Sequence, residues 1–338
     1  MHQFKPALAV VAVACLIVFA FAAGAQADPV KIRLGLVRAP ASLVPVIYGK
    51  PGIARHAGKS YVLEPTFFRG SPPQITALAA GEIDIASLGF STFSVAIENA
   101  RMNDLRVIAD EVELGVKGYG GTSFMVLKNG PVKHIADLKG KVLATNAIGG
   151  ALDMVAKAML LKHHLVAPRD YTVIEAAFPN MKAMLLQHKA DFIVSIEPFL
   201  QDRELQAKAR QLFPTEDAMG PVELIFWTAR AGFLKKNHAA VVDLLEDYIR
   251  ELHWAWNPAH RKQAIKMVAA VTKQPAQRLA GYIYTHKDNY QDLNAKPNLA
   301  ALARNIHAQK ELGLIKADVD VKAHADLSLV EEAARRLR

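Results

Sequence analysis

One pattern, written twice, constrains this chain more than any other feature. Lys31-Ile32-Arg33-Leu34-Gly35-Leu36-Val37 alternates and then runs apolar as a strand does, Ala39-Pro40-Ala41-Ser42 breaks it, and Leu43 to Gly49 is helix-like. Tyr61 to Phe68 reads as a second strand. Arg69-Gly70-Ser71-Pro72-Pro73 then turns into a helix from Gln74 to Ala80, with proline suited to its first turn and Gly81 just past its last. Ile83 to Leu88 is a third strand, and Gly89-Phe90-Ser91-Thr92 opens another helix. This βαβαβ order predicts a parallel, buried sheet.

About 110 residues later the grammar returns. Lys141 to Thr145 is a strand, Asn146-Ala147-Ile148-Gly149-Gly150 a loop, and Ala151 starts a helix with Leu152, Val155, Met159 and Leu160 on one face. Tyr171 to Phe178 answers Tyr61 to Phe68, and Asp191 answers Asp84. The expected fold class is therefore α/β, with two βαβαβ lobes, a ligand cleft between them and C-terminal helices. Gly115, Gly118, Gly120 and Gly121 read as a hinge. A strand at Glu223 to Thr228 follows Gly220-Pro221, and from Phe233 the pattern is helical, broken at Asn257-Pro258, Gln274-Pro275 and Lys296-Pro297. These last helices are expected to pack back on the first lobe. Lobe one is then residues 28–117 with 222–338, lobe two 118–221, and the crossovers fall near 115–124 and 218–224.

Residues 1–27 carry Lys5, an apolar run from Ala7 to Ala23 and Ala25-Gln26-Ala27, the order of a secretory signal peptide with its cleavage site. The run spans about 25 Å as a helix, short of the ~30 Å hydrocarbon core. Cys15, the single cysteine of the chain, lies inside it. Disulfide scaffolds and thiol catalysis are thereby excluded from the mature chain, and lipidation of Cys15 is the less favoured reading. A soluble, monomeric, extracytoplasmic (periplasmic) protein is expected. Without Lys5 the net charge of +9 becomes about +8, which speeds capture of anions or is simply a basic background. The basic residues are scattered, with no aromatic-interleaved stripe, so no nucleic-acid partner is expected. Zinc-protease, nucleophile-elbow, phosphate-loop and dinucleotide patterns are absent, and His163-His164 is an adjacent pair unsuited to sharing one ion. The expectation is no catalytic residue, no metal and no cofactor.

Ligands of open parallel sheets sit beyond the carboxyl ends of the strands, where helix N-termini present unpaired N–H groups. In lobe one that places Ser42, Gly70, Ser71, Phe90, Ser91 and Thr92 at the site; in lobe two it places Asn146, Ile148, Gly149, Gly150, Phe178, Asn180 and Glu197. Most are small or hydroxyl-bearing, which suits an anionic solute. Phe90, Phe178 and Tyr119 could wall an apolar pocket. Glu197 could accept a ligand amine, or cap the helix after Pro198; Arg38 and Arg69 could pair with a ligand acid or stay in solvent. Asp at Gly149 should weaken anion binding while leaving the melting temperature nearly unchanged, unless the backbone there needs a positive φ.

Three segments carry a family resemblance: Ala77-Leu78-Ala79-Ala80-Gly81-Glu82-Ile83-Asp84-Ile85-Ala86, Ala136-Asp137-Leu138-Lys139-Gly140-Lys141-Val142, and Ala190-Asp191-Phe192-Ile193-Val194-Ser195-Ile196-Glu197-Pro198-Phe199. Over most of the mature chain the sequence resembles the periplasmic solute-binding proteins of ABC importers for nitrate, taurine and alkanesulfonates, a group that also contains thiamine-pyrimidine binders. The resemblance implies a type II periplasmic-binding-protein-like fold. It also implies capture of a small solute, such as a sulfonate, and delivery to a membrane permease driven by a cytoplasmic ATPase. A binder of a neutral or aromatic solute and an exported sensor subunit are the alternatives. The enzymes of that group carry pyridoxal phosphate and a cysteine-rich motif, for which the mature chain has no cysteine.

Overall fold

The computed structural model describes residues 28–37 and 39–338; the expected leader and Arg38 lie outside the described residues. In chain order the strands and helices are β1 (Val30–Val37), α1 (Val44–Tyr48), β2 (Tyr61–Phe68), α2 (Pro72–Ala79), β3 (Ile85–Gly89), α3 (Phe90–Glu98), β4 (Leu105–Leu114) and β5 (Thr122–Leu127). Next come β6 (Val142–Thr145), α4 (Ala151–Lys162), β7 (Thr172–Glu175), α5 (Phe178–Leu186), β8 (Phe192–Ile196), α6 (Arg203–Lys208), β9 (Ala209–Phe213) and α7 (Thr215–Met219). The chain ends with β10 (Val222–Arg230), α8 (Ala231–Lys236), α9 (His238–Trp256), α10 (Arg261–Thr272), α11 (Ala276–Ala280), α12 (Leu299–Glu311) and α13 (Ser328–Arg336). No helix among the described residues is long and apolar enough to cross a membrane.

Two five-stranded sheets result, ordered β2-β1-β3-β10-β4 and β7-β6-β8-β5-β9. The expected all-parallel sheets are corrected to mixed ones: β10 runs antiparallel to β3 and β4, and β5 antiparallel to β8 and β9. The crossovers are the reason. β4 leaves the first sheet at the same end as β3, so the chain enters the second sheet from the cleft side, and β5 points against β8. The return from β9 to β10 repeats this in reverse. A second correction concerns Phe178, read as the end of a strand: β7 stops at Glu175 and Phe178 begins α5.

The repeat is visible in individual bonds. Asp84 donates its N–H to the Arg33 carbonyl (2.8 Å) and accepts the Arg33 N–H on Oδ2 (2.9 Å); Asp191 does the same with Val142, at 2.9 and 3.0 Å. Each aspartate stitches the start of one parallel strand to the next. Burial then organises three apolar clusters. One, with Trp227 stacked on Tyr248 at 4.4 Å, lies between the first sheet and α9. A small one of Met125, Met181, Leu185 and Ile193 backs the second sheet. The third draws on both lobes, from Phe90 and Phe93 to Phe124 and Phe192.

Candidate functional site

The carboxyl ends of β1 and β2 face those of β6 and β7 across a cavity of about 80 Å³. Its walls are largely apolar: Val112 from β4, Leu224 from β10, Ile196 from β8, Leu152 from α4 and Phe178 from α5. Ser42, Ser71, Thr122, Asn146 and Asn289 supply side-chain polarity, and among the described lining residues none is charged. Of the residues expected from sequence, Ser42, Gly70, Ser71, Asn146, Gly150 and Phe178 line this space.

Much of the polar inventory is already engaged. The Ser42 hydroxyl donates to Glu111, a fully buried acid on β4 that also accepts from Ser87 Oγ (2.7 Å) and Trp227 Nε1 (2.9 Å). Burial pushes the Glu111 carboxyl above its ordinary range, and those three donors pull it back. Ser71 Oγ accepts the Gly89 N–H at 2.8 Å, fixing the turn after β2 to the start of α3.

Polar contacts join the lobes along one rim of the cavity. Ser91 Oγ donates to the Gly149 carbonyl (2.9 Å), Asn146 Nδ2 reaches the Arg69 carbonyl (3.4 Å), and Arg69 pairs with Glu175 at 3.6 Å. A Cβ on Gly70 would stand 2.7 Å from Ala147 Cβ, closer than side chains tolerate, so only glycine permits this approach.

The loop from Asn146 to Gly150 departs from expectation. The N–H of Ile148 donates to Glu175 Oε1 (2.7 Å), and that of Gly149 to Asp153 Oδ2 (2.8 Å), itself paired with Lys157 Nζ at 2.6 Å. Two carboxylates of lobe two thus occupy the amides that the sequence suggested for a ligand anion. Ile148 is 46% exposed, and Gly149 adopts φ +77°. The expectation that Asp at Gly149 would spare the melting temperature is therefore corrected, because an L side chain is strained in that backbone. Ala151 and Leu152, on the cavity wall, are the α4 first-turn residues whose N–H groups have no intrahelical partner.

The other expected residues lie elsewhere. Phe90 is fully buried in the shared apolar cluster, Thr92 is buried beside it in α3, and Asn180 is exposed on α5. Tyr119 packs against His286 (4.7 Å) and Tyr290 (5.1 Å). Glu197 lines a neighbouring cavity of about 210 Å³ with Pro40, Leu43, Phe67, Phe199 and Val271; Ile196 borders both spaces. Gln201 Nε2 donates to Glu197 Oε1 at 2.6 Å, while Oε2 is buried with no partner. Burial, opposed by the Gln201 bond and reinforced by Asp288, pushes the Glu197 carboxyl up to about 7. Sequence reading missed Thr122 and Asn289. Thr122 follows Gly121, a glycine the sequence had singled out and so a detectable cue; Asn289 comes from a C-terminal turn that only the tertiary fold brings to the cleft.

Residues 119–260 match the model of the NMT1/THI5-like family. No curated protein matches the chain in sequence. Solved structures share the fold over most of the chain. The aliphatic sulphonate-binding protein SsuA of Escherichia coli matches at TM-score 0.65 and 21% identity, covering 88% of this chain and 92% of that one. The nitrate-binding protein NrtA of Synechocystis PCC 6803 matches at TM-score 0.70 and 17% identity, over 92% and 89%. The desulfurization enzyme DSZB matches at TM-score 0.64 and 16% identity, over 91% and 100%. The fold class is the two-lobed α/β architecture of periplasmic binding proteins, and it hosts both binding and catalysis among these structures.

Proposed function

We propose that this protein is the extracytoplasmic solute-binding component of an ABC importer, holding a small organic solute between its lobes and passing it to a membrane permease. The observation that carries this reading is the cavity itself. It lies at the carboxyl ends of two pseudo-equivalent sheets joined by two crossovers, where closure can enclose a ligand. The fold shared with sulfonate- and nitrate-binding proteins supports it. At about 80 Å³ the inner space suits a solute of a few heavy atoms.

In this reading Ser71, Asn146, Thr122 and Asn289 orient the polar end by hydrogen bonds, with the Ala151 and Leu152 amides at the α4 start, while Phe178, Leu152 and Leu224 cover an apolar part. Glu197 reads a hydrogen-bond donor, such as an amine, where the solute extends into the neighbouring cavity. Catalysis is not part of this reading, since the only cysteine lies in the leader segment and the cavity lining holds no acid–base pair among the described residues.

Thermal-shift screening of the protein against sulfonates, nitrate, carboxylates and small amines tests the proposal. A true ligand at about 100 times its dissociation constant adds about 2.7 kcal/mol and raises the melting temperature; turnover of any hit would replace the transport reading with an enzymatic one.

A further inference from the structure

The donors around the cavity that would suit an anion are largely spent within the protein. Glu175 and Asp153 hold the Ile148 and Gly149 amides, the Gly150 N–H donates to the Ala147 carbonyl (3.1 Å), and Asn146 Nδ2 donates to the Arg69 carbonyl (3.4 Å). The loop before α4 therefore carries its anions already. Ser42 gives its proton to Glu111, and a serine so engaged offers a ligand only lone pairs. The Ala151 and Leu152 amides remain, and they suit a neutral oxygen. Among the described residues no lysine, arginine or histidine lines this space or the cavity beside it.

That second cavity has the opposite character. Segments 39–43, 178–179 and 196–199 contribute to the walls of both, so the two spaces belong to one cleft. Leu43, Phe67, Phe199 and Val271 make the second space apolar, and Glu197 is the charged residue on its described lining. Glu197 is 6% exposed; Gln201 holds Oε1, and Oε2 is buried without a partner. Lys287 and Asp288 are the charges that act on it, in opposite senses, and among the described residues neither forms an ion pair or hydrogen bond with it. The Tyr282 hydroxyl nearby is likewise buried and unpartnered. No hydrogen bond joins Glu197 to another acid, so a proton on it would still leave a buried polar group unsatisfied. A donor brought by the ligand removes that cost.

We propose that the solute of this cleft is an organic amine, bound as its ammonium ion with Glu197 as counter-ion. Its short apolar chain runs past Ile196 into the inner space against Phe178, Leu152 and Leu224, and a polar group at the inner end donates to the Ser42 oxygen. The inference rests on the solute-binding reading above and narrows it. Amines are taken, whereas sulfonates and nitrate, the solutes named for proteins of like fold, are not.

Calorimetry with n-butylammonium chloride at pH 8 tests this, with sodium butanesulfonate, sodium nitrate and neutral butanamide in parallel. The expected result is saturable one-to-one binding of butylammonium, none of the two anions, and butanamide at least tenfold weaker. Glu197→Gln should weaken butylammonium binding at least tenfold, about 1.4 kcal/mol, and should fold, because it removes a buried charge. The parent protein gives a check that needs no variant. Butylammonium stays charged between pH 8 and 6, while Glu197, raised chiefly by burial to about 7, takes up a proton, so affinity should fall about tenfold. Affinity unchanged over that range, or unchanged in Glu197→Gln, overturns the proposal. Binding of butanesulfonate or nitrate in place of butylammonium also overturns it and leaves the solute-binding reading standing. No heat from any of the four probes overturns it as well, and the wider thermal-shift screen then tests the solute-binding reading on its own.

Discussion

The two lobes repeat a backbone but not a chemistry. After β1, lobe one turns through Ser42, whose hydroxyl is held by Glu111 on β4 of the same sheet; after β6, lobe two turns through Asn146 to Gly150, where the Ile148 and Gly149 amides are held by Glu175 and Asp153. The first arrangement keeps a side-chain oxygen on the cavity wall. In the second, two backbone donors are consumed and the cavity is left to Asn146, Gly150 and the first turn of α4. The cores diverge as well: lobe one sets Trp227 on Tyr248 against α9, whereas lobe two stacks Phe124, Phe192 and Phe213 and adds a small aliphatic and methionine cluster. An internal repeat therefore predicts where loops converge and not which donors they leave free.

Truncation of the anchors should produce the largest contrast. Trp227→Ala removes the Tyr248 stack and the Nε1 donor to Glu111, and is expected to cost about 3–5 kcal/mol in denaturant unfolding. Met181→Ala in lobe two should cost about 2–4 kcal/mol. Equal losses would show that the lobes do not differ in the way their cores suggest.

Acidity gives the next effect. Glu197 and Asp288 both titrate near 7 in the folded protein, raised chiefly by burial, against about 4 when unfolded. The native state thus binds more protons between these values, so this contribution to stability is complete below pH 4 and is lost as pH rises through 7. Glu197→Gln should flatten the decline of melting temperature between pH 5 and 8, by an amount on the order of 2 kcal/mol. An unchanged pH profile would remove Glu197 as a contributor.

Closure can be tested at Gly70. Gly70→Val places side-chain atoms where Ala147 stands, so a ligand found by screening should bind at least tenfold more weakly, about 1.4 kcal/mol, and its compaction in small-angle scattering should vanish. Wild-type affinity would mean that the lobes need not meet at this rim. The smallest effect belongs to Arg69→Ala: it breaks an exposed pair with Glu175 across the same rim and should change affinity by less than about 1 kcal/mol, fading in high salt.

Periodicity and turn chemistry determined a good deal. Tyr61 to Phe68 is a strand to the residue, Gly81 closes α2 with φ +71°, and the paired aspartates Asp84 and Asp191 mark equivalent positions in the two sheets. These are local properties, set by side-chain alternation and by which residues tolerate a given backbone angle. Strand direction in the fourth position of each sheet was not legible, because β5 and β10 take their sense from the end at which a crossover delivers them. Nor was the fate of the amides at Ile148 and Gly149, which Glu175 and Asp153 claim, or the placing of Asn289 against Thr122 across 167 residues. Which donors remain free for a ligand depends on partners distant in sequence, and only packing in three dimensions chooses them.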